Sequence, residues 1–175
     1  MKKKIVITGG LGYIGTELCK LYSGVSWNHE IVVIDNRFIS ERVNQIRNWN
    51  MEFIHGDILD KNLIIKYCKD ADVVHHLAGV TDVPRTKNES SSIKDEKIKI
   101  VGTEGTQNIL DVISDDCKII FPSTHVVFEG IEHVKTDIKE DEATKPVLSY
   151  SSSKAINEDQ LKKSGKNYII LRLGS

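Results

Sequence analysis

The sequence has little cysteine, little proline, few aromatic residues and almost no net charge. Of its 175 residues, 3 are Cys, 3 are Pro and 6% are aromatic, while 24 Lys and Arg oppose 25 Asp and Glu. Three dispersed cysteines exclude a disulfide framework and a cysteine-based zinc site. Since a net charge of −1 creates no long-range field, we expect neither nucleic acid nor a membrane surface as a partner.

The sequence also lacks a long apolar run. No stretch approaches the roughly 20 apolar residues of a membrane span. The short run 5–7 follows three lysines as in a signal peptide, but Gly9 and Gly10 interrupt it and no small-residue cleavage site follows. With the cysteines interpreted as reduced thiols, we expect a cytoplasmic chain. The length is that of one domain.

Short apolar runs alternate with segments of helical periodicity. Six runs rich in β-branched residues predict strands, at 5–8, 31–35, 51–55, 73–77, 118–123 and 168–172. Three apolar helix faces lie between them: Ile14, Leu18, Leu21 and Tyr22; Leu63, Ile64, Tyr67 and Cys68; and Thr106, Ile109, Leu110 and Ile113. This alternation predicts an α/β fold, a doubly wound parallel sheet of about six strands with helices on both faces.

Two polar stretches, 81–97 and 129–146, interrupt the alternation and show no clear periodicity. In a doubly wound fold such segments lie beyond the strand ends, where ligands bind. They are therefore either ligand-binding loops or merely solvated connections.

A glycine-rich turn follows the first predicted strand. Gly9, Gly12 and Gly15 form a G-x-x-G-x-x-G pattern that opens the first predicted helix. In that context glycines let backbone N–H groups approach a pyrophosphate at the positive end of the helix dipole. Asp35 ends the second strand, at the spacing expected for a carboxylate that binds a ribose hydroxyl. The pattern predicts a dinucleotide site that prefers NAD to NADP.

Two alternatives remain at this site. Arg37 follows Asp35 by two residues and is a candidate partner for a 2′-phosphate, which keeps NADP as the less favoured cofactor. The glycines can also serve a purely structural strand-to-helix turn, with Asp35 as a turn or capping residue.

Six further segments, read together with this turn, resemble the extended short-chain dehydrogenase/reductase family, the nucleotide-sugar epimerases and dehydratases. The turn is T-G-x-x-G-x-x-G at 8–15. The six further segments are H-G-D-I at 55–58, H-H-L-A-G at 75–79, G-T-x-N at 105–108, F-P-S-T-H-V-V-F at 121–128, Y-x-x-x-K at 150–154 and L-R-L-G at 171–174. The resemblance covers the whole chain in family order. It implies a Rossmann-like NAD(P)-binding domain over residues 1–175.

The resemblance also implies which residues act. Thr124, Tyr150 and Lys154 would be catalytic: Thr124 holds the substrate oxygen, Tyr150 is the acid/base, and Lys154 lowers the pKa of the Tyr150 phenol. The implied cofactor-binding residues are Gly9, Gly12, Tyr13, Ile14, Gly15, Asp35, Asn36, Asp57, Ile58, Leu77, Ala78 and Gly79, together with Tyr150 and Lys154. No metal ligands are implied, and the adjacent His75 and His76 would point to opposite faces of a strand.

The implied activity is that of an NAD-dependent nucleotide-sugar epimerase, similar to UDP-glucose 4-epimerase, that oxidises its sugar transiently. The alternatives are an NAD(P)-dependent sugar-nucleotide keto-reductase or dehydratase and a dinucleotide-binding module without turnover. The substrate would be a nucleotide-sugar, and a homodimer is left open for the full-length protein.

The sequence departs from the family pattern at four places, one of which is Gly79, where the family's H-x-A-A segment has its second alanine. Gly102 stands where the family usually has asparagine, which predicts a weaker backbone contact near the active site. His125 follows Thr124 where dehydratases and decarboxylases carry an acidic residue, which disfavours those reactions. The smaller C-terminal substrate domain of the family has no counterpart here, so we expect a truncated chain.

Overall fold

The computed structural model describes residues 1–81, 92–133 and 135–174. Within these ranges the strands are β1 (Lys4–Thr8), β2 (Glu30–Asp35), β3 (Glu52–His55), β4 (Val73–His76), β5 (Lys118–Thr124) and β6 (Asn167–Leu173). The helices are α1 (Tyr13–Ser23), α2 (Ser40–Asn48), α3 (Lys61–Cys68), α4 (Ser92–Leu110) and α5 (Ser149–Lys163), with short 3₁₀ helices at Ser26–Asn28 and His125–Phe128.

The six strands form one sheet in the order β3-β2-β1-β4-β5-β6, and every neighbouring pair is parallel. The chain first builds outward from β1 to β3 and then returns to the other side of β1 with β4. The strand order therefore reverses between β1 and β4, which is where a doubly wound sheet opens a ligand crevice. The predicted fold class is confirmed.

Alternate residues of the strands enter two separate cores because successive side chains point to opposite faces. One core contains Ile5, Ile7, Ile31, Val33 and Phe53 and is covered by α1 and α2. The other contains Val6, Val32, Ile34, Val74, Ile119 and Phe121 and is covered by α3, α4 and Leu161 of α5. Burial on both faces explains why the strands are nearly continuous apolar runs.

The predicted strands agree with the observed ones to within one residue at each end. The predicted face of α1 is partly wrong: Leu21 is 79% exposed and Ile14 is 48% exposed, whereas Gly15 and Cys19 are fully buried or nearly so. Small residues face the sheet here, so the helix approaches it closely while two of its larger apolar side chains lie outside. The other two predicted faces are confirmed, since their members are buried or pack against the core.

The two polar stretches differ in outcome. Residues 92–97 are the first turns of α4, so the prediction of an irregular segment over 81–97 is wrong there; residues 82–91 lie outside the described residues. The charges of Lys94, Asp95 and Glu96 hid the helical period. Residues 129–146 contain neither helix nor strand where the structure describes them.

Among the described residues, the structure shows no helix whose length and apolar character would let it cross a membrane.

Candidate active site

A cleft of about 1090 Å³ opens at the carboxyl ends of the strands. It is bounded by the glycine turn on one side and by the end of β5 and the start of α5 on the other. All fifteen residues predicted for the site lie in its lining. The topology brings them together because parallel strands end at one edge of the sheet.

The glycine turn is held by its own backbone. Gly9 has a φ of 70°, its N–H donates to the Ile34 carbonyl at 2.7 Å, and the Gly12 N–H donates to the Gly9 carbonyl at 3.0 Å. A Cβ at Gly9 would lie 2.6 Å from the Ala78 nitrogen, so this turn accepts only glycine. A Cβ at Gly12 would approach only the Gly9 oxygen closely, at 3.1 Å, and would otherwise enter open space beside the helix start.

Asp35 is buried beneath this turn. Its Oδ2 accepts from the Leu11 N–H at 2.9 Å, and its Oδ1 accepts from the Arg37 N–H at 3.0 Å. The Arg37 Nε also reaches Oδ1, at 3.3 Å. The carboxylate therefore fixes the glycine turn and partly neutralises the guanidinium that was the candidate partner of a 2′-phosphate.

The ends of β2 and β3 are joined by side chains that face the cleft. The Asn36 amide donates to Asp57 Oδ2 at 2.9 Å, and Asp57 Oδ1 accepts from the Leu59 N–H at 3.0 Å. Asp57 thus lies in the cleft lining with both oxygens already oriented, beside Ile58.

Thr124, Tyr150 and Lys154 line the opposite side of the cleft. Thr124 ends β5 and is buried, and its hydroxyl accepts from the Val126 N–H at 3.3 Å. Tyr150 and Lys154 are one turn apart on α5. The Lys154 ammonium donates to the Pro122 carbonyl at 2.8 Å and lies 5.9 Å from the centroid of the Tyr150 ring.

The pKa of Tyr150 differs from what the sequence led us to expect. Burial lowers the pKa of Lys154 to about 8, although the nearby Glu158 carboxylate opposes that change. Burial raises the pKa of Tyr150, whereas we expected the Lys154 ammonium to lower it. The ammonium donates a hydrogen bond to the Pro122 carbonyl, and desolvation determines the direction of the Tyr150 shift in the protein alone.

The sequence did not reveal a buried carboxylate that lies behind Thr124, Tyr150 and Lys154. Glu158 is 1% exposed and accepts from the Ser123 hydroxyl at 2.6 Å. The Arg172 guanidinium donates to both of its oxygens, at 2.9 and 2.6 Å. Glu158 therefore joins α5 to β5 and β6. Its four-residue spacing from Lys154 was the available signal, but that spacing did not reveal its burial.

The two adjacent histidines do point to opposite faces. His75 bonds the Tyr22 hydroxyl at 2.8 Å, on the α1 side of the sheet. His76 bonds Thr8 at 2.9 Å and Thr106 at 3.0 Å, on the other side. Burial, reinforced by the Lys154 charge, lowers the pKa of His76 to about 3, so this imidazole is neutral beneath the cleft.

The departures from the family pattern have structural counterparts. A Cβ at Gly102 would lie 2.2 Å from Ser153 Oγ, because α5 packs closely on α4 there. The Gly102 carbonyl accepts from the Asn157 amide at 3.0 Å, which joins α4 to α5 at this point. His125 is exposed in the cleft lining, and its Nδ1 bonds the Leu173 carbonyl at 3.2 Å.

Comparison with known proteins gives consistent relatives. The sequence profile of the 3-beta hydroxysteroid dehydrogenase/isomerase family matches residues 6–171. CDP-paratose 2-epimerase of Salmonella typhi is 32% identical over 141 residues, which cover 75% of this chain and 40% of the relative. UDP-N-acetyl-alpha-D-glucosaminuronate decarboxylase of Bacillus cytotoxicus is 33% identical over 132 residues, which cover 73% and 38%.

A solved structure agrees with these relatives. The UDP-glucuronic acid 4-epimerase of Bacillus cereus, in complex with UDP-glucuronic acid and NAD, superposes with a TM-score of 0.76 at 26% identity, over 97% of this chain and 55% of that one. The chain thus spans about 40% of the curated relatives' length and about half of the solved structure's. The chain belongs to the 3-beta hydroxysteroid dehydrogenase/isomerase family, within the extended short-chain dehydrogenases/reductases.

Proposed function

We propose that this chain is the cofactor-binding and catalytic part of an NAD-dependent nucleotide-sugar epimerase of the UDP-glucose 4-epimerase type. The observation that carries the proposal is the common cleft. Thr124, Tyr150 and Lys154 face the same space as the glycine turn and Asp35. The related epimerase with NAD and UDP-glucuronic acid supports both the cofactor and the substrate class.

The residues present fit a dinucleotide. The open side of Gly12 leaves room for a pyrophosphate beside the start of α1: among the described residues, apart from the two chain neighbours, only the Gly9 oxygen and the Arg37 guanidinium would come within 4 Å of an added Cβ. Asp57 and Asn36 would hold the adenine end, and Leu77, Ala78 and Gly79 would form the floor.

The pairing around Asp35 favours NAD over NADP. Its carboxylate would repel a 2′-phosphate, and it already engages the Arg37 guanidinium at 3.3 Å. One lone pair on Oδ2 remains beyond the bond from Leu11, and this acceptor suits a ribose hydroxyl.

The protein residues would supply proton transfer and orientation. Bound NAD supplies a hydride acceptor that returns the hydride to the sugar in an epimerase. Thr124 would hydrogen-bond the reacting sugar oxygen, and Tyr150 would take its proton and later give it back. Lys154 is mainly protonated below its pKa of about 8; its charge would act against the burial that raises the pKa of Tyr150 in the protein alone.

A turnover assay with matched variants tests this proposal. A longer protein that contains residues 1–175 is incubated with NAD and a set of nucleotide-sugars, and the sugars are separated and identified. We expect interconversion of two epimers that falls by about 10² to 10⁴ in Tyr150→Phe, the usual contribution of acid–base catalysis. Tyr168→Phe removes a phenol from β6, outside the cleft, and should leave the rate unchanged. Equal rates in Tyr150→Phe and the unmodified protein would overturn the catalytic assignment.

One feature favours a keto-reductase as the second candidate. The segment 123–130, S-T-x-x-V-F-x-G, is similar to that of the dehydrorhamnose reductases. Net oxidation of added NADH or NADPH with a keto-sugar nucleotide would establish that activity. Loss of water from the sugar would indicate a dehydratase, and NAD binding without any turnover would indicate a binding module.

We also propose that most nucleotide-sugar contacts are made by a domain beyond residues 1–175. The partial coverage of the relatives supports this, at 40% and 38% of their lengths. We expect a longer protein to bind the nucleotide-sugar with higher affinity than residues 1–175 do, as measured by titration calorimetry.

A further inference from the structure

The start of α5, which carries Tyr150, is capped by a residue from another segment. The N-cap position is Leu148, whose side chain accepts no hydrogen bond. Instead, Oε1 of Glu129 accepts from the N–H groups of Val147 at 2.8 Å and Leu148 at 2.7 Å, and from the Ser151 hydroxyl. Three donors at the start of α5 thus converge on one carboxylate oxygen.

The same two segments are joined by backbone hydrogen bonds. The Lys145 N–H donates to the Val127 carbonyl, and the Gly130 N–H donates to the Lys145 carbonyl, both at 2.8 Å. A Cβ at Gly130 would lie 2.6 Å from the Lys145 oxygen, so glycine permits this close approach. We call residues 127–130 and 145–151 together the α5 clamp.

The α5 clamp connects the end of β5, which carries Thr124, to the start of α5, which carries Tyr150. Thr124 ends β5, and the 3₁₀ helix His125–Phe128 leads from it directly to Glu129. Tyr150 is the second residue of α5, between Leu148 and Ser151, which both donate to Glu129. A shift of the helix start therefore moves the phenol relative to the Thr124 hydroxyl.

The negative charge of Glu129 is stabilised at the start of α5. Burial works against the carboxylate, but hydrogen bonds from Ser151, Leu148 and Val147 outweigh it and hold the pKa of Glu129 below its ordinary value. A negative charge at a helix start is also stabilised by the helix dipole.

We propose that Glu129 is a positioning residue that sets the place of Tyr150 relative to Thr124, an inference that rests on the proposed function of the site. It acts through the helix start and makes no contact with the reacting atoms. The required chemistry is a fixed hydrogen-bond acceptor at this position. Glu129→Gln should therefore keep most of this positioning of Tyr150, and Glu129→Ala should lose it.

The test compares Glu129→Ala, Glu129→Gln and, as a matched control, Glu142→Ala. Glu142 lies in the same irregular stretch but pairs with Lys135 and takes no part in the α5 clamp. Amide hydrogen exchange reports the helix start, and NMR of tyrosine labelled at its phenol carbon reports Tyr150, assigned with Tyr150→Phe. We expect about tenfold faster exchange at 147–151 in Glu129→Ala, the effect of losing a strong cap, with a shifted or broadened Tyr150 signal. Glu129→Gln and Glu142→Ala should resemble the unmodified protein.

Turnover adds the functional readout. If the protein interconverts nucleotide-sugars, we expect about tenfold lower kcat in Glu129→Ala, with the Kd for NAD within about twofold, and recovery in Glu129→Gln. An unchanged Tyr150 signal despite faster exchange would overturn the positioning role, as would unchanged kcat. Since the NMR and exchange measurements need no substrate, they decide the role of Glu129 even if the proposed epimerase activity is absent.

Discussion

The substitution Glu158→Gln tests the buried hydrogen-bond network that joins α5 to β5 and β6. The Glu158 carboxylate is 1% exposed and accepts from Ser123 and twice from Arg172, with the Lys162 ammonium at 3.5 Å. Glutamine has nearly the same shape but no charge, and its NH₂ group cannot accept the second Arg172 hydrogen bond. The Arg172 side chain is only 13% exposed, so the change leaves a guanidinium largely shielded from water with one acceptor fewer.

The expected loss follows from the burial of the pair. Removing one partner of a buried ion pair costs about 3–5 kcal/mol because the remaining charge is uncompensated. Arg172 keeps a hydrogen bond to the Glu140 carbonyl at 2.9 Å, and the glutamine oxygen still accepts one. We therefore expect Glu158→Gln to lose stability at the lower end of this range, about 3 kcal/mol. For a chain of this length, that loss lowers Tm by about 6–12 °C.

The neighbouring residue provides a matched control. Asp159 pairs with Lys163 over 3.5 Å on the same helix, but the two side chains are 64% and 79% exposed. An exposed pair of this spacing contributes only about 0.3–0.5 kcal/mol, so Asp159→Asn should scarcely change stability. Urea unfolding of both variants at neutral pH measures the difference. If Glu158→Gln lowers the free energy of unfolding no more than Asp159→Asn does, the buried network does not stabilise this fold.

Low pH should remove the stability that the charged Glu158 carboxylate contributes. Burial opposes the Glu158 charge, but hydrogen bonds from Arg172 and Ser123 and the charges of Arg172 and Lys162 hold its pKa below the ordinary 4.5. A group with a lowered folded-state pKa stabilises the fold above its unfolded-state value, and this contribution is lost as the pH falls through the folded-state pKa. The stability gap between the unmodified protein and Glu158→Gln should thus narrow as the pH falls below about 4.5.

Two further predictions concern the cofactor turn and the thiols. Gly12→Ala should weaken NAD binding at least about tenfold, or 1.4 kcal/mol, because its methyl group occupies the open side of the turn. Gly24→Ala at the other end of α1 should bind NAD normally, because an added Cβ there meets no described residue within 4 Å apart from its chain neighbours. Equal Kd values for NAD in Gly12→Ala and Gly24→Ala, measured by titration calorimetry, would contradict the site assignment. Burial raises the pKa of Cys19 and Cys68 to about 12 and that of Cys117 to about 11. A thiol reagent should therefore label none of them near neutral pH until urea unfolds the chain, and rapid labelling of the folded protein would refute this.

The sequence predicted the parts of the structure that depend on local pattern. The strands and the glycine turn with Asp35 follow from short-range periodicity or spacing. The family resemblance pointed to Tyr150 and Lys154, and their four-residue spacing placed them on one helix face, but it did not predict that burial raises the pKa of Tyr150. The face of α1 was misjudged because large apolar residues were counted and Gly15 was not. The roles of Glu129 and Glu158 depend on partners 14 to 35 positions away, and no local period shows which distant elements meet.

The measurement that tests the central claim most directly follows the hydrogen on the oxidised sugar carbon. UDP-glucose carrying deuterium at that carbon is incubated in ordinary water with NAD and a longer protein that contains residues 1–175 and the proposed substrate domain, and the sugar products are examined by NMR. Transient oxidation with return of the same hydride predicts UDP-galactose that retains the deuterium, with no net NADH. No epimer, or an epimer that has lost its deuterium to solvent, would contradict the account.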